Sequence, residues 1–125
     1  MTIGELKHYA NLYSQTDSGA WLNEIDWRRN HVAIVNGPGL GSRWLGGIIL
    51  IDPDTDSIQF GTYIHELRHE WQRKKQGAIK YALRNLVKKN EPDAEDQADK
   101  AQDWLGDEKC RELRKGGGVY VIQQR

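Results

Sequence analysis

One stretch in the middle of the chain constrains the fold more than any other. Ile64, Leu67 and Trp71 recur at spacings of three and four residues, which is the repeat of an amphipathic α-helix. Because these apolar side chains share one side of the helix, His65 and His69 lie together on the opposite side. The pattern predicts a helix that docks on a core through its apolar side and presents two imidazoles at its polar side.

The pentapeptide His65-Glu66-Leu67-Arg68-His69 carries the chemistry of this helix. Histidines four residues apart can both reach a single zinc ion. Glu66 lies about 100° around the helix from His65, where its carboxylate can hold a water on the ion. Zinc lowers the pKa of that water, and the carboxylate accepts its proton as the water attacks a carbonyl. We therefore predict zinc as cofactor, His65 and His69 as ligands, and Glu66 as general base.

A catalytic zinc site needs a third protein ligand and an open fourth position. The remaining histidines, His8 and His31, lie far upstream, so acidic residues downstream are better candidates. Glu95 and Asp99 are four residues apart on one helical face, beside a stripe of alanines. We predict that Glu95 is the third ligand and that Asp99 accepts a hydrogen bond from the free ring nitrogen of His65. The alternatives for the third ligand are Glu91, Asp93 and Asp96.

The pattern His65-Glu66-x-x-His69 followed by Glu95-x-x-Ala98-Asp99 resembles the gluzincin metallopeptidases. It is most similar to the small gluzincin domains of bacterial and phage proteins, where the motif often continues into Trp-Gln, as in Trp71-Gln72. The resemblance covers about residues 46–105. It implies a zinc metallopeptidase, a hydrolase whose substrate is a peptide or protein. It also implies the ligand, base and supporting roles given above.

Two departures from that family leave other functions open. Arg68 lies inside the motif, where a cation disfavours metal binding unless it points away. No residue matches the oxyanion-stabilising His or Tyr of the family, for which Tyr63, Tyr81 and Tyr120 are candidates. The alternatives are a zinc-binding but inert structural or interaction module, associated with a phage or a secretion apparatus, and a metal-free binding protein.

The fold class predicted from the sequence is α+β. Short β-branched runs at 31–35 and 44–51 flank a turn-forming segment and predict a hairpin. The helices follow, and the second one is expected to bury Ile79, Ala82, Leu83 and Leu86. Together with the resemblance, this gives a minimal zincin-like domain: a small twisted sheet packed against the active-site helix and further C-terminal helices. In that arrangement, residues 46–51 form an edge strand that pairs with extended substrate above the metal.

Composition limits the domain count, the partners and the location. A chain of 125 residues suits a single domain, 1–125. Its 18 basic and 18 acidic residues give a net charge of zero, so we expect neither nucleic acid nor a membrane as partner. The single thiol, Cys110, and the lack of a signal-peptide or transmembrane pattern predict a cytoplasmic protein.

Overall fold

A computed structural model describes residues 1–29, 31–34, 43–45, 48–51 and 56–116. Four α-helices are present in these ranges: α1 (Ile3–Tyr13), α2 (Asp56–Gln76), α3 (Ala78–Leu86) and α4 (Glu91–Gly116). Three short strands lie between α1 and α2: β1 (His31–Ile34), β2 (Arg43–Leu45) and β3 (Ile48–Ile51). Two single 3-10 turns, Ala20–Glu24 and Trp27–Arg29, precede the strands. In the described ranges, no helix is both long and apolar enough to cross a bilayer.

Local sequence signals set the helix ends. Thr2 and Glu5 form a capping box at the start of α1, in which each side chain accepts a hydrogen bond from the other residue's backbone N–H. Gly77 has a φ of 84°, a conformation that glycine adopts without steric cost, and it separates α2 from α3. Helix α2 therefore ends at Gln76, directly before this glycine.

The interior of the protein is formed mainly where α2 packs against α4. The two helices are antiparallel, since Gly61 contacts Gln102 while Arg68, further along α2, contacts Asp93 near the start of α4. Their approach is close, because a Cβ atom at residue 61 would lie 2.3 Å from the Gln102 side chain. The predicted buried side of α4 is confirmed and consists of Ala94, Ala98, Ala101 and Leu105.

The strands pair differently from the prediction. β3 is the central strand, parallel to β1 and antiparallel to β2. The predicted hairpin between the runs at 31–35 and 44–51 is therefore wrong, because the second run holds two strands that pair with each other. The predicted edge strand at 46–51 is also wrong, since β3 has a neighbour on both sides.

The predicted α+β class, with a zincin-like sheet supporting the active-site helix, is wrong. The chain is a helical protein: 81% of the residues whose side chains the structure describes are helical. Among those residues, Ile49 is the one strand member of the core. The physical reason is that the strands are only three or four residues long, while α2 and α4 contain 21 and 26 residues and pack on each other.

Helix α3 also departs from the prediction. The prediction places Ile79, Ala82, Leu83 and Leu86 on the inward side, but all four are exposed. The exposed fractions of the three larger side chains are 79%, 60% and 80%. Tyr81, on the other side of the same helix, is buried. The period of the apolar residues correctly predicted a helix, but period alone does not show which side of the helix meets the protein.

Candidate metal centre

Helix α2 brings the two motif histidines into contact. One helical turn separates His65 from His69, so their rings lie one above the other with centroids 4.9 Å apart. Their Nε2 atoms face each other at 3.2 Å. The predicted juxtaposition of the two imidazoles is present in the structure.

Glu91 completes the cluster from the first turn of α4. Its Oε2 atom lies 3.2 Å from Nε2 of His65, and its Oε1 atom lies 3.0 Å from Nε2 of His69. Among the described residues, these three form the one group of His, Cys, Asp or Glu side chains placed to share a metal ion. Two imidazole nitrogens and a carboxylate from two different helices thus converge on one point.

The chemistry of this donor set fits zinc. Zinc takes imidazole nitrogen and carboxylate oxygen at about 2.0–2.2 Å, and atoms spaced as these are can all reach one ion at that distance. The His65 and His69 side chains are 17% and 8% exposed, whereas that of Glu91 is 43% exposed. The cluster is therefore largely shielded from solvent on its α2 side and open to solvent beside Glu91. Three protein donors with one open side is the pattern of a catalytic rather than a structural zinc site.

Gln72 fixes the tautomer of His69 that can bind a metal through Nε2. Its amide NH₂ donates to the backbone oxygen of Asn90 at 2.8 Å and to Oδ2 of Asp93 at 3.0 Å. Because the NH₂ group is directed there, its Oε1 atom accepts from Nδ1 of His69, at 2.9 Å. The proton of a neutral His69 is thereby held on Nδ1, which leaves the Nε2 lone pair directed at the cluster.

The surroundings of His65 favour its neutral form. Burial and the neighbouring His69 lower the pKa of His65, and the carboxylates of Glu91 and Glu95 oppose that shift without reversing it. Since a metal binds unprotonated imidazole, the lowered pKa of His65 favours ligation.

Asn90 determines where Glu91 lies. This side chain is 1% exposed and makes four hydrogen bonds. Its Nδ2 atom donates to the backbone oxygen of Tyr81 and to Oδ1 of Asn85, while its Oδ1 atom accepts from Gln76 and Arg84. A buried amide with all its bonds made has one orientation, so the residue that follows it has a defined position.

Arg68 points away from the cluster. Its guanidinium lies 3.7 Å from the ring centre of Trp71 and 4.9 Å from that of Trp21, and it donates two hydrogen bonds to Asp93. Burial alone would raise the pKa of Asp93, but the hydrogen bonds from Arg68 and Gln72 hold that pKa below its usual value. The cation in the motif is therefore neutralised by an aspartate and does not oppose a metal.

Glu66 lies beside the cluster at the edge of a cavity. It is 5% exposed, and its Oε2 atom is 3.9 Å from Nε2 of His65. A cavity of about 240 Å³ opens here and is lined by Thr62, His65, Glu66, Ala98 and Gln102. The carboxylate thus reaches both the candidate ligands and a space in which a small molecule or side chain can lie.

The two predicted downstream residues are not part of the cluster. Glu95 and Asp99 are both exposed, and Asp99 makes no hydrogen bond to His65 in the described part of the chain. Glu91, one of the alternatives, is the carboxylate that lies with the two histidines, because α4 meets the pair with its first turn rather than its second. The supporting role expected of Asp99 is taken, for His69, by Gln72.

A sequence signal for Glu91 existed. Glu91-x-x-Ala94 has the same spacing as Glu95-x-x-Ala98, and Ala94 is fully buried while Ala98 is 8% exposed. Both acids therefore precede a buried alanine by three residues. The periodicity of α4 does not distinguish between them, because they lie one turn apart on the same side.

Of the three tyrosines considered for oxyanion stabilisation, Tyr81 has a ring contact with the cluster. Its ring centre is 6.2 Å from that of His69, and burial, with the charges of Glu66 and Glu91, raises its pKa. Tyr63 is fully buried in the core, and its hydroxyl has no hydrogen-bond partner in the part of the chain that is described. Tyr120 lies outside the described residues.

Comparison of the chain with protein-family models, with curated proteins and with solved structures gave no match.

Proposed function

We propose that this protein is a zinc-dependent hydrolase that cleaves peptide bonds. The observation that carries the proposal is the convergence of His65, His69 and Glu91, whose donor atoms lie 3.0–3.2 Å apart and belong to two helices. Helix α2 provides the two imidazoles and α4 provides the carboxylate. The resemblance to gluzincins supports the same function, although it implies Glu95 instead of Glu91 as the third ligand.

The residues around the cluster have the roles that hydrolysis requires. When bound, zinc would polarise the scissile carbonyl and acidify a water. Glu66 is buried beside His65, where its carboxylate can accept the proton of the attacking water and pass it to the leaving amine. Tyr81, on the α3 side, contacts the ring of His69 and stays protonated because its pKa is raised, so it can donate a hydrogen bond to developing negative charge.

The cavity beside Glu66 suggests what part of a substrate lies there. The walls of this cavity combine Ala98 with the polar Thr62 and Gln102. We expect preference for a polar side chain next to the scissile bond.

The test separates metal binding from hydrolysis. Purified protein is analysed for metal content and assayed on a peptide library, with Glu66→Gln and His69→Ala compared to the wild type. We expect Glu66→Gln to keep zinc and lose cleavage, because the base is removed and the ligands remain. His69→Ala should lose both.

Each other outcome has a defined meaning. A protein that binds one zinc ion but cleaves no peptide is an inert zinc-binding module, which contradicts the hydrolase proposal. Cleavage that survives in Glu66→Gln shows that another group is the base. A protein that takes up no zinc contradicts the proposal at its first step.

A further inference from the structure

The basic residues of this chain are distributed unevenly along it. Although the net charge is zero, residues 73–89 contain seven Lys and Arg and no Asp or Glu. This segment comprises the end of α2, all of α3 and the turn before α4. The seven cations are Arg73, Lys74, Lys75, Lys80, Arg84, Lys88 and Lys89.

The same segment exposes large apolar side chains. Ile79, Leu83 and Leu86 occupy one side of α3 at spacings of four and three, and Val87 follows directly, 62% exposed. Tyr81 is on the opposite, buried side. In the described part of the chain, these four residues and Ile3 are the exposed large hydrophobics, so the exposed apolar surface is concentrated on α3.

Three of the cations beside this apolar side have no ion-pair partner among the described residues. Lys80, Lys88 and Lys89 are exposed and unpaired there. The others are engaged: Lys75 pairs with Glu24, and Arg84 donates to Asn90. We call Ile79, Leu83, Leu86 and Val87, together with Lys80, Lys88 and Lys89, the outer face of α3.

We propose that the outer face of α3 binds the surface of an anionic lipid bilayer. A short helix with apolar side chains on one side and lysines at its margin lies in the plane of such a surface, with the apolar groups in the acyl boundary and the ammonium groups among the headgroups. Lysine suits this position because its alkyl stem lies along apolar surface while its charge reaches the phosphates.

Other occupants fit the outer face of α3 less well. A second copy of the chain would bring two clusters of unpaired lysines together, which opposes association. A peptide partner needs a groove, whereas a single exposed helix is convex, and lysine is depleted at protein–protein interfaces. Nucleic acid would pair with the lysines but leave the four apolar side chains in water.

The expectation of no membrane partner rested on the net charge of the whole chain. Zero net charge excludes attraction through the overall field of the protein, but it does not exclude a segment in which charges of one sign are gathered. Binding through the outer face of α3 needs only that segment.

This placement has a consequence for the metal cluster. Tyr81 is on the inner side of α3, with its ring centre 6.2 Å from that of His69. A bilayer on the outer face would therefore lie one helix away from the cluster, so proteins at the membrane surface would be the substrate class. That consequence rests on the proposed function, whereas the lipid binding does not.

The test is co-sedimentation of the whole protein with vesicles of phosphatidylcholine, with or without phosphatidylserine. We expect binding to the vesicles that contain phosphatidylserine, weakening as salt is added. Lys88→Gln/Lys89→Gln and Leu83→Ser/Leu86→Ser should each reduce the binding about tenfold or more. The control is Lys7→Gln/Lys100→Gln, which removes the same charge at a half-buried and an exposed lysine away from α3 and should bind as the wild type does. Circular dichroism and zinc content confirm that each variant is folded.

Several results would overturn the proposal. The wild type could remain in solution with both kinds of vesicle, or both α3 variants could bind as well as the wild type. Equal binding to a poly-glutamate peptide that does not depend on Leu83 or Leu86 would assign an acidic protein partner instead. Because vesicle binding is measured without peptide cleavage, loss of the hydrolase proposal would leave this result unaffected.

Discussion

Arg68 of α2 and Asp93 of α4 form a two-point ion pair, with Nε to Oδ2 at 2.7 Å and Nη2 to Oδ1 at 3.2 Å. The Arg68 side chain is 11% exposed and that of Asp93 is 42% exposed. Since Asp93 follows Glu91 by two residues, this pair holds the first turn of α4 against the helix that carries both histidines. A residue that is unfavourable for metal binding on sequence grounds thus helps to position Glu91, the candidate third ligand.

Asp93→Asn is expected to lower both stability and zinc affinity. The substitution leaves the largely buried guanidinium of Arg68 without its counter-ion, which costs about 1–3 kcal/mol of unfolding free energy. Chemical denaturation measures that loss. The control is Asp96→Asn, which breaks an exposed pair with Lys100 within α4 and should cost no more than about 0.5 kcal/mol. Equal losses in the two variants would contradict the role given to Asp93.

Glu91→Gln and Glu95→Gln distinguish the observed third donor from the predicted one. Glu91 touches both histidines, so we expect its loss to weaken zinc binding by more than the ~10–100-fold typical of losing an outer hydrogen-bond partner. Glu95→Gln should change the affinity little. Competition with a chromogenic chelator measures both. A larger effect at Glu95 would show that the ion draws the second turn of α4 to the histidines.

Gln72→Leu is expected to weaken zinc binding without removing a ligand. The leucine keeps approximate size but cannot accept the proton on Nδ1 of His69, so the ring loses its fixed tautomer. The expected loss of affinity is about 10–100-fold. Gln59→Leu is the control on the same helix, because Gln59 is buried and accepts from the N-terminal amine of Met1 and not from a histidine. Similar zinc affinities in the two variants would argue against the orienting role.

Asn90→Ala is expected to destabilise the protein by about 2–3 kcal/mol, since the buried backbone oxygen of Tyr81 loses this donor. The hydrogen bonds with Gln76, Arg84 and Asn85 are lost as well. Thermal unfolding of the zinc-free protein measures this effect apart from metal binding. Asn85→Ala, which loses one of these bonds at an exposed position, serves as the comparison and should cost about 1 kcal/mol or less. If Asn90→Ala unfolds at the same temperature as the wild type, the start of α4 is held in some other way.

Stability is expected to fall at alkaline pH. Burial raises the pKa of Tyr13 to about 12, and burial together with Glu112 raises that of Tyr9 to about 12. Between the ordinary tyrosine pKa of about 10 and these values, the unfolded chain releases protons that the folded protein keeps. The stabilising contribution is thus complete below pH ~10 and is lost as pH rises towards 12.

Denaturation of the wild type and Tyr13→Phe between about pH 8 and 11 measures this dependence. The variant should show a shallower decline, because its residue 13 does not titrate. Identical slopes in the two proteins would contradict the assignment to Tyr13.

The helices and most of the site could be predicted from the sequence. Ile64, Leu67 and Trp71 predicted α2, and the spacing of His65 and His69 predicted that their rings meet. The buried side of α4 followed from its alanines. These features depend on residues close together in the chain, where helical geometry alone fixes the relationship.

Features that depend on how elements meet could not be predicted in this way. The choice between Glu91 and Glu95 depends on which turn of α4 faces α2, and the bonds of Asn90 and the Arg68–Asp93 pair decide it. The orientation of α3 is set by Tyr81, which packs inward, whereas the more apolar Ile79 and Leu83 are exposed. The balance of helix and strand depends on how long the strands are. A run of β-branched residues predicts that a strand forms but does not give its length.

Helix α4 supplies the carboxylate at its first turn and the lining of the core along its later turns. An ion held by His65, His69 and Glu91 would therefore act as a cross-link between the two longest helices, at the junction that Asn90 already organises. Occupancy and folding are then thermodynamically linked, so the concentration of free zinc sets how long the chain survives unfolding and degradation.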